Sequence, residues 1–394
     1  MDITLFIALA APIIVALVVK FVFHQTITVA EAILQAVIVV AVVSGLWAVG
    51  RYSDTGDVEL WNGEVTNKQV RRESCPWGWQ DWQDGFCTEY NTRRVKDGPP
   101  RRVCTEDSKG KKSCRMEQDY KTQYKYIYPW EQKFYIHTNV KETFYIPRVD
   151  PQGARTPPFF ARAFIGEPVA ARKSYTNWIR GASNSIFHED GAVEEKYKGK
   201  IPQYPNKVYD YYNVDRVVKI GNVDVPNFLN EALRMELKEL GPQKQMNALF
   251  VIVDAKVFGP DYPYAVRRAW MGFKKNDAVV FLGMEGDVLK WAEVMSWSKK
   301  SIFDITLRND LLTYENKPLD FMFVLSKLTS NAKTFYERRS MKEFEYLKDQ
   351  IPVPTWLTIT VFLLSFGGSA GLTFLFHRVD IANVGAFANH RRFR

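Results

Sequence analysis

Three uninterrupted apolar blocks constrain this chain more than anything else in it. Ile3 to Phe23 is 21 residues with one charge, Lys20, near its end; as an α-helix rising about 1.5 Å per residue it spans a hydrocarbon core of about 30 Å. Thr28 to Gly50 holds one charge, Glu31, near its start, and Thr355 to Phe376 holds none, bracketed by Pro352 and Pro354 before it and His377 and Arg378 after it. All three read as transmembrane helices. Met1-Asp2 offers no basic n-region and a second span follows at once, so the first block is expected to be a retained anchor, not a cleaved signal.

Lys and Arg beside short loops mark the cytoplasmic side, whereas long domains cross largely regardless of charge. The turn between the first two blocks carries Lys20 and His24; the tail carries Arg378, Arg391, Arg392 and Arg394 against Asp380. One topology satisfies both: N-terminus outside, residues 51–353 extracytoplasmic, C-terminus cytoplasmic. The expected divisions are a helical hairpin over 1–50, a Cys-containing β-rich module over 57–150, a connection over 151–215, an α/β domain over 216–318, a helical stalk over 319–352, a third span over 353–377 and a basic tail over 378–394.

The four cysteines, Cys75, Cys87, Cys104 and Cys114, all lie in one stretch of the large loop. Zinc sites usually show close C-x2-C pairs, but here 11, 16 and 9 residues intervene, which favours disulfides in an oxidising compartment. Ser108-Lys109-Gly110 between Cys104 and Cys114 suggests a hairpin with opposed sulfurs, leaving Cys75 with Cys87 as the natural second pair. Asp57-Val-Glu-Leu-Trp-Asn-Gly-Glu-Val-Thr alternates apolar with polar across Asn62-Gly63, a strong hairpin signal. Trp77, Trp79 and Trp82 read either as covers of a small disulfide core or as a carbohydrate or peptide platform. Residues 67–128 carry 14 Lys or Arg against 9 Asp or Glu, read first as a solvated face and second as a surface for an anionic partner. No nucleic-acid partner is expected.

Residues 151–215 are rich in Pro and Tyr, with one expected helix over 169–182, and should pack along their neighbours. From Val217 the pattern sharpens. Leu229, Leu233, Leu237 and Leu240 share a helical face ended by Gly241-Pro242. Ala248–Asp254 is a buried strand, residues 262–271 a helix, Ala278–Gly283 a second buried strand and 287–295 a third. A crossover helix makes the first two strands parallel.

The order of these elements, with Trp270, Gly272, Lys274, Lys275, Asn276, Asp277, Ala278 and Val279 in the turn, resembles the TPM domain, the small α/β module of membrane-tethered extracytoplasmic proteins. The likeness covers about 217–345; where members carry Gly-Tyr-Gly, this chain has Trp291-Ala-Glu-Val. A weaker resemblance, in the hydrophobic hairpin, Trp61-Asn-Gly-Glu-Val-Thr and Ser174-Tyr-Thr-Asn-Trp, is to membrane proteins of tailed phages and prophages, and it implies insertion in a host bacterial inner membrane. Some TPM proteins are described as phosphatases and some bind divalent cations. That implies a candidate Mg or Ca site where Asp254, at a strand end, and Asp277, in the next turn, converge at the carboxyl edge of the sheet. Asp in such places is also ordinary capping chemistry, and no local His, Cys or Ser constellation supports a nucleophile, so no catalytic residue is assigned.

Gly367 and Gly371 form a small-xxx-small face, suited to self-association or to packing on the hairpin. Three spans with Lys20 and Glu31 only near helix ends offer no polar pathway for transport. The expectation is an integral membrane protein with three transmembrane helices and an α+β extracytoplasmic region, a disulfide-containing β module joined to a TPM-like α/β sandwich. It would act as a binding or scaffold protein on the lipid bilayer, through self-association or another membrane or envelope protein. The alternative is a TPM-like metal-dependent phosphatase.

Overall fold

A computed structural model describes residues 3–22, 28–74, 79–82, 86–89, 93–106, 110, 112–123, 130–147, 156–182 and 195–379. Helices α1 (Ile3–Phe21) and α2 (Val29–Gly50) pack with a third apolar helix. That helix runs from Thr355–Phe362 through a π-helical turn, Leu363–Gly367, into Gly368–Val379. All three are long and apolar enough to cross a membrane.

Pro12, inside α1, lacks the N–H that would bind the Ala8 carbonyl; the Ser365 hydroxyl donates to that carbonyl from the π-turn. An orphaned carbonyl in hydrocarbon is costly. Ser365→Ala is therefore expected to weaken the bundle by about 1–2 kcal/mol, and by less in a Pro12→Ala background, where α1 supplies its own donor. Thermal unfolding of the detergent-solubilised protein reads both, and equal losses would refute the pairing. The contact face is Leu357, Val361, Ser365 and Ser369, all buried. Gly367 and Gly371 lie about 200° further round the helix, and a Cβ at either meets nothing within 4 Å. Packing on the hairpin does not use them.

After a 3-10 turn at Ser53–Thr55, β1 runs over Gly56–Ser74, with a register shift between Val65 and Asn67. Its first half pairs antiparallel with β10 (Pro168–Thr176) and its second half with β8 (Trp130–Thr138), which pairs with β9 (Thr143–Ile146). The expected turn at Asn62-Gly63 is thus mid-strand. Asn62 buries its amide against Met246 and Asn247, and a Cβ at Gly63 would overlap Asn139 and Val140; both positions serve close approach. Because β10 comes from 151–215, the β module is not confined to 57–150. Residues 168–176 form a strand where a helix was expected, and only Trp178–Gly181 is helical there. The period is two: Val169 and Ala171 join a core with Phe159, Phe160 and Tyr212, whereas Ala170 faces Leu60 and Val214.

Further along the chain β2 (Trp79–Trp82) pairs with β3 (Phe86–Glu89), β4 (Arg93–Lys96) with β7 (Tyr120–Gln123), β5 (Arg101–Glu106) with β6 (Lys112–Glu117), and the short β11 (Val208–Tyr209) with β12 (Asn213–Val214). Cys104 and Cys114 stand directly opposite and form a disulfide. Cys75, and with it the pairing to Cys87, lies outside the described residues, as do the side chains of Trp77, Trp79 and Trp82 and the tail from 380 onward.

The remaining sheet has the order β13 (Val217–Ile220), β14 (Asn247–Asp254), β15 (Asp277–Glu285), β16 (Val288–Ser296); the first three strands are parallel and the last antiparallel. Alternate residues feed two cores. Ala248, Phe250 and Ile252 face the helices Leu229–Lys244, Ile302–Leu312 and Phe321–Phe335. Leu249, Val251 and Val253 face the helix Tyr262–Ala269 and Tyr197. The first helix continues past Gly241-Pro242 to Lys244, where Gln245 turns left-handed (φ 53°). The expected stalk over 319–352 is corrected in the same way. Phe321, Val324, Leu325, Leu328 and Ala332 form a buried helical stripe on the α/β core, and only the 3-10 helix Met341–Gln350 has no buried residue.

Candidate functional site at the turn before β15

The turn that carries Lys274, Lys275, Asn276 and Asp277 closes on itself, the Lys274 amide donating to Asp277 Oδ2 at 2.9 Å. Its side chains then reach sideways to β1. Lys274 pairs with Asp57, whose Oδ2 also accepts Tyr175 Oη at 2.8 Å and Asn177 Nδ2 at 3.0 Å. Burial pushes the Asp57 carboxyl up, but Lys274, Asn177 and Tyr175 overcome it and hold it below its ordinary value. Two residues along, Glu59 Oε1 accepts Trp61 Nε1 at 2.7 Å and lies near Lys275 at 3.4 Å, with Arg338 alongside. Burial pushes the Lys275 ammonium down, with Glu59 pulling against it. Asn276 Nδ2 donates to the Leu60 carbonyl at 2.7 Å.

Deeper in, Asn62 accepts from Arg216, which also donates to Asn247 Oδ1 at 3.1 Å and the Val214 carbonyl at 3.0 Å. Asn247 in turn donates to Asp277 Oδ1 at 2.9 Å. Asp57 and Glu59, which alternation suggests as a solvent face, and Asn62 on the opposite face are therefore buried against basic and amide groups more than 100 positions away in the chain. Nothing within β1 itself reveals this; the one signal is two successive lysines, Lys274 and Lys275, in a short turn between buried elements.

Beside this seam lies a cleft of about 1000 Å³, lined among others by Asp57, Arg180, Lys198, Tyr204, Trp270 and Lys274. Carboxylate, ammonium and guanidinium groups around an indole can bind a polar or zwitterionic group by hydrogen bonds and ion pairs. The Arg180 wall abuts the ends of the apolar helices: Tyr52 and Trp178 meet edge to face at 5.6 Å, and Gly181 packs near Thr55 and Ile351.

Asp254 and Asp277 are not brought together. Asp254 pairs with Met284, seven positions beyond Asp277 on the parallel neighbour, which separates them by about 23 Å along the sheet. Asp277 is fully buried at the amino edge in the seam, whereas Asp254 lines an open crevice at the carboxyl edge with Asp224, Glu285, Lys219 and Lys256. Among the described residues no three His, Cys, Asp or Glu side chains gather within metal-binding reach.

Burial raises Asp277 to about 6 against its hydrogen bonds from Asn247, Lys274 and Tyr204; Asp304 is raised to about 6 by burial too. A carboxyl with a raised folded-state pKa binds its proton more tightly when folded. The stability it contributes is complete below its unfolded value near 4 and is lost as pH rises through about 6. Unfolding midpoints are therefore expected to rise from pH 7 to pH 4.5, and Asp277→Asn should flatten that rise; an unchanged slope would refute the assignment. Comparison of the chain with protein-family models, curated proteins and solved structures finds no match.

Proposed function

We propose that this chain is a membrane-anchored extracytoplasmic binding and scaffold protein of a bacterial inner membrane, of the kind that tailed phages encode. Its N-terminus and residues 51–353 are outside, and its tail is cytoplasmic. The observation that carries the reading is the seam. The strand leaving α2 is clamped by buried ion pairs to the same α/β domain whose chain returns to the third apolar helix. The outer region is thereby fixed to its anchors at both ends, an arrangement suited to presenting surfaces. The phosphatase alternative needs Asp254 and Asp277 on a common ion, and the strand register supports no such pair.

Affinity purification of the detergent-solubilised full chain, with mass determination of the assembly, tests the proposal. A stoichiometric oligomer or partner is expected. A solitary monomer that captures nothing overturns it.

A further inference from the structure

The ladders β4/β7 and β5/β6 follow one another as a single two-stranded arm, joined where the Asp97 amide donates to the Asp119 carbonyl at 2.8 Å. Fourteen residues up one side give it a length of about 40 Å. The described side chains of β6 are exposed along almost its whole length, on both faces. Among the described residues the ribbon has no third strand, and an isolated two-stranded ribbon is marginal in water; the Cys104–Cys114 disulfide ties its two strands together covalently. A structure kept extended at that cost in stability is suited to reach.

Between Arg93 and Gln123 there are ten Lys or Arg against five Asp or Glu, the whole surplus of the region 67–128. Lys96, Arg101, Arg102, Lys112, Arg115 and Lys121 are all exposed. Arg101 pairs with Asp119 at 3.1 Å and Lys121 with Asp97 at 2.9 Å, both in water, where such pairs contribute little and are readily exchanged. Exposed Met116 and Tyr120 stand among them.

We propose that this arm binds a linear polyanion of the envelope, a polymer bearing phosphodiester or carboxylate groups along its length. The inference rests on the binding reading above and names the chemistry of one partner. Cations spread along a narrow ribbon match charge repeated along a chain, and a preformed hairpin loses little conformational entropy on binding.

The test uses the full-length protein in detergent and fluorescently labelled inorganic polyphosphate as probe. Four phosphate contacts predict an affinity about 50-fold lower at 200 mM than at 50 mM salt. The variant R102E/K112E/R115E should bind at least about tenfold more weakly. K207E/K256E/K317E, with the same change in net charge at exposed lysines elsewhere, should stay within about twofold of wild type. Because all six positions are exposed, both variants are expected to keep the wild-type unfolding midpoint; the neutral R102Q/R115Q replaces the first variant if it does not. Equal weakening by both triple variants, or binding insensitive to salt, overturns the proposal. So does capture of an acidic protein through the arm without polyphosphate binding, although the scaffold reading would then stand. Arm-dependent polyphosphate binding by a solitary monomer would instead keep the arm and overturn the assembly.

Discussion

Replacing Arg216 with Ala is expected to lower the unfolding free energy of the region between the apolar helices by about 3–5 kcal/mol. The guanidinium is 2% exposed, and burial pulls it down only to about 10, so it stays charged at neutral pH. Its acceptors are neutral: Asn62, Asn247 and the Val214 carbonyl. Negative charge reaches it through the Asn247 amide, whose other end holds Asp277. Truncation strands three buried acceptors, each costing about 1–3 kcal/mol when unpaired, and opens a cavity; partial collapse returns some of that. Arg216→Met fills the volume without donors and separates the two contributions. Urea unfolding followed by tryptophan fluorescence reads the difference, and a loss below about 1 kcal/mol would mean that the seam is not closed in solution.

The second large effect runs against local preference. Gly241 lies inside a helix, where Ala is favoured by about 1 kcal/mol. Yet a Cβ there would overlap the backbone carbonyl of Asn62 and stand 2.8 Å from its Cβ. Main chain cannot rotate away as a side chain does, so Gly241→Ala should destabilise by about 2–3 kcal/mol net. An increase in stability would show that β1 does not lie on this helix.

Much of the α/β region is legible in the sequence because its signals are local. The Leu229, Leu233, Leu237 and Leu240 stripe and the apolar runs of β14 and β15 each declare their element without reference to anything distant. The apolar helices are legible for the same reason. What misleads is local evidence overruled from afar. Asn62-Gly63 has the residues of a tight turn, but the same small size and paired donor and acceptor let β1 pass close to Gly241 and bond Arg216. Lys333, Glu337 and Arg338 suggest a solvated stalk, although the Phe321 to Ala332 stripe beside them is core and Arg338 returns to Glu59. The seam was the least readable feature: each partner is an ordinary charged residue until the fold brings the two together. The resemblance to the TPM domain picked out the turn at Lys274 to Asp277; here that turn grips β1.

The start of β1 at the base of α2 has a mechanical consequence. Nineteen residues, bent at the register shift between Val65 and Asn67, reach at most about 60 Å, and a 10° tilt at the foot of a strand that long sweeps its far end through about 10 Å. Clamped to the α/β domain over its lower half, the strand is geared as a lever. A load on its far end would arrive at the helix ends as torque, and a small reorientation of the helices would arrive at that end as displacement.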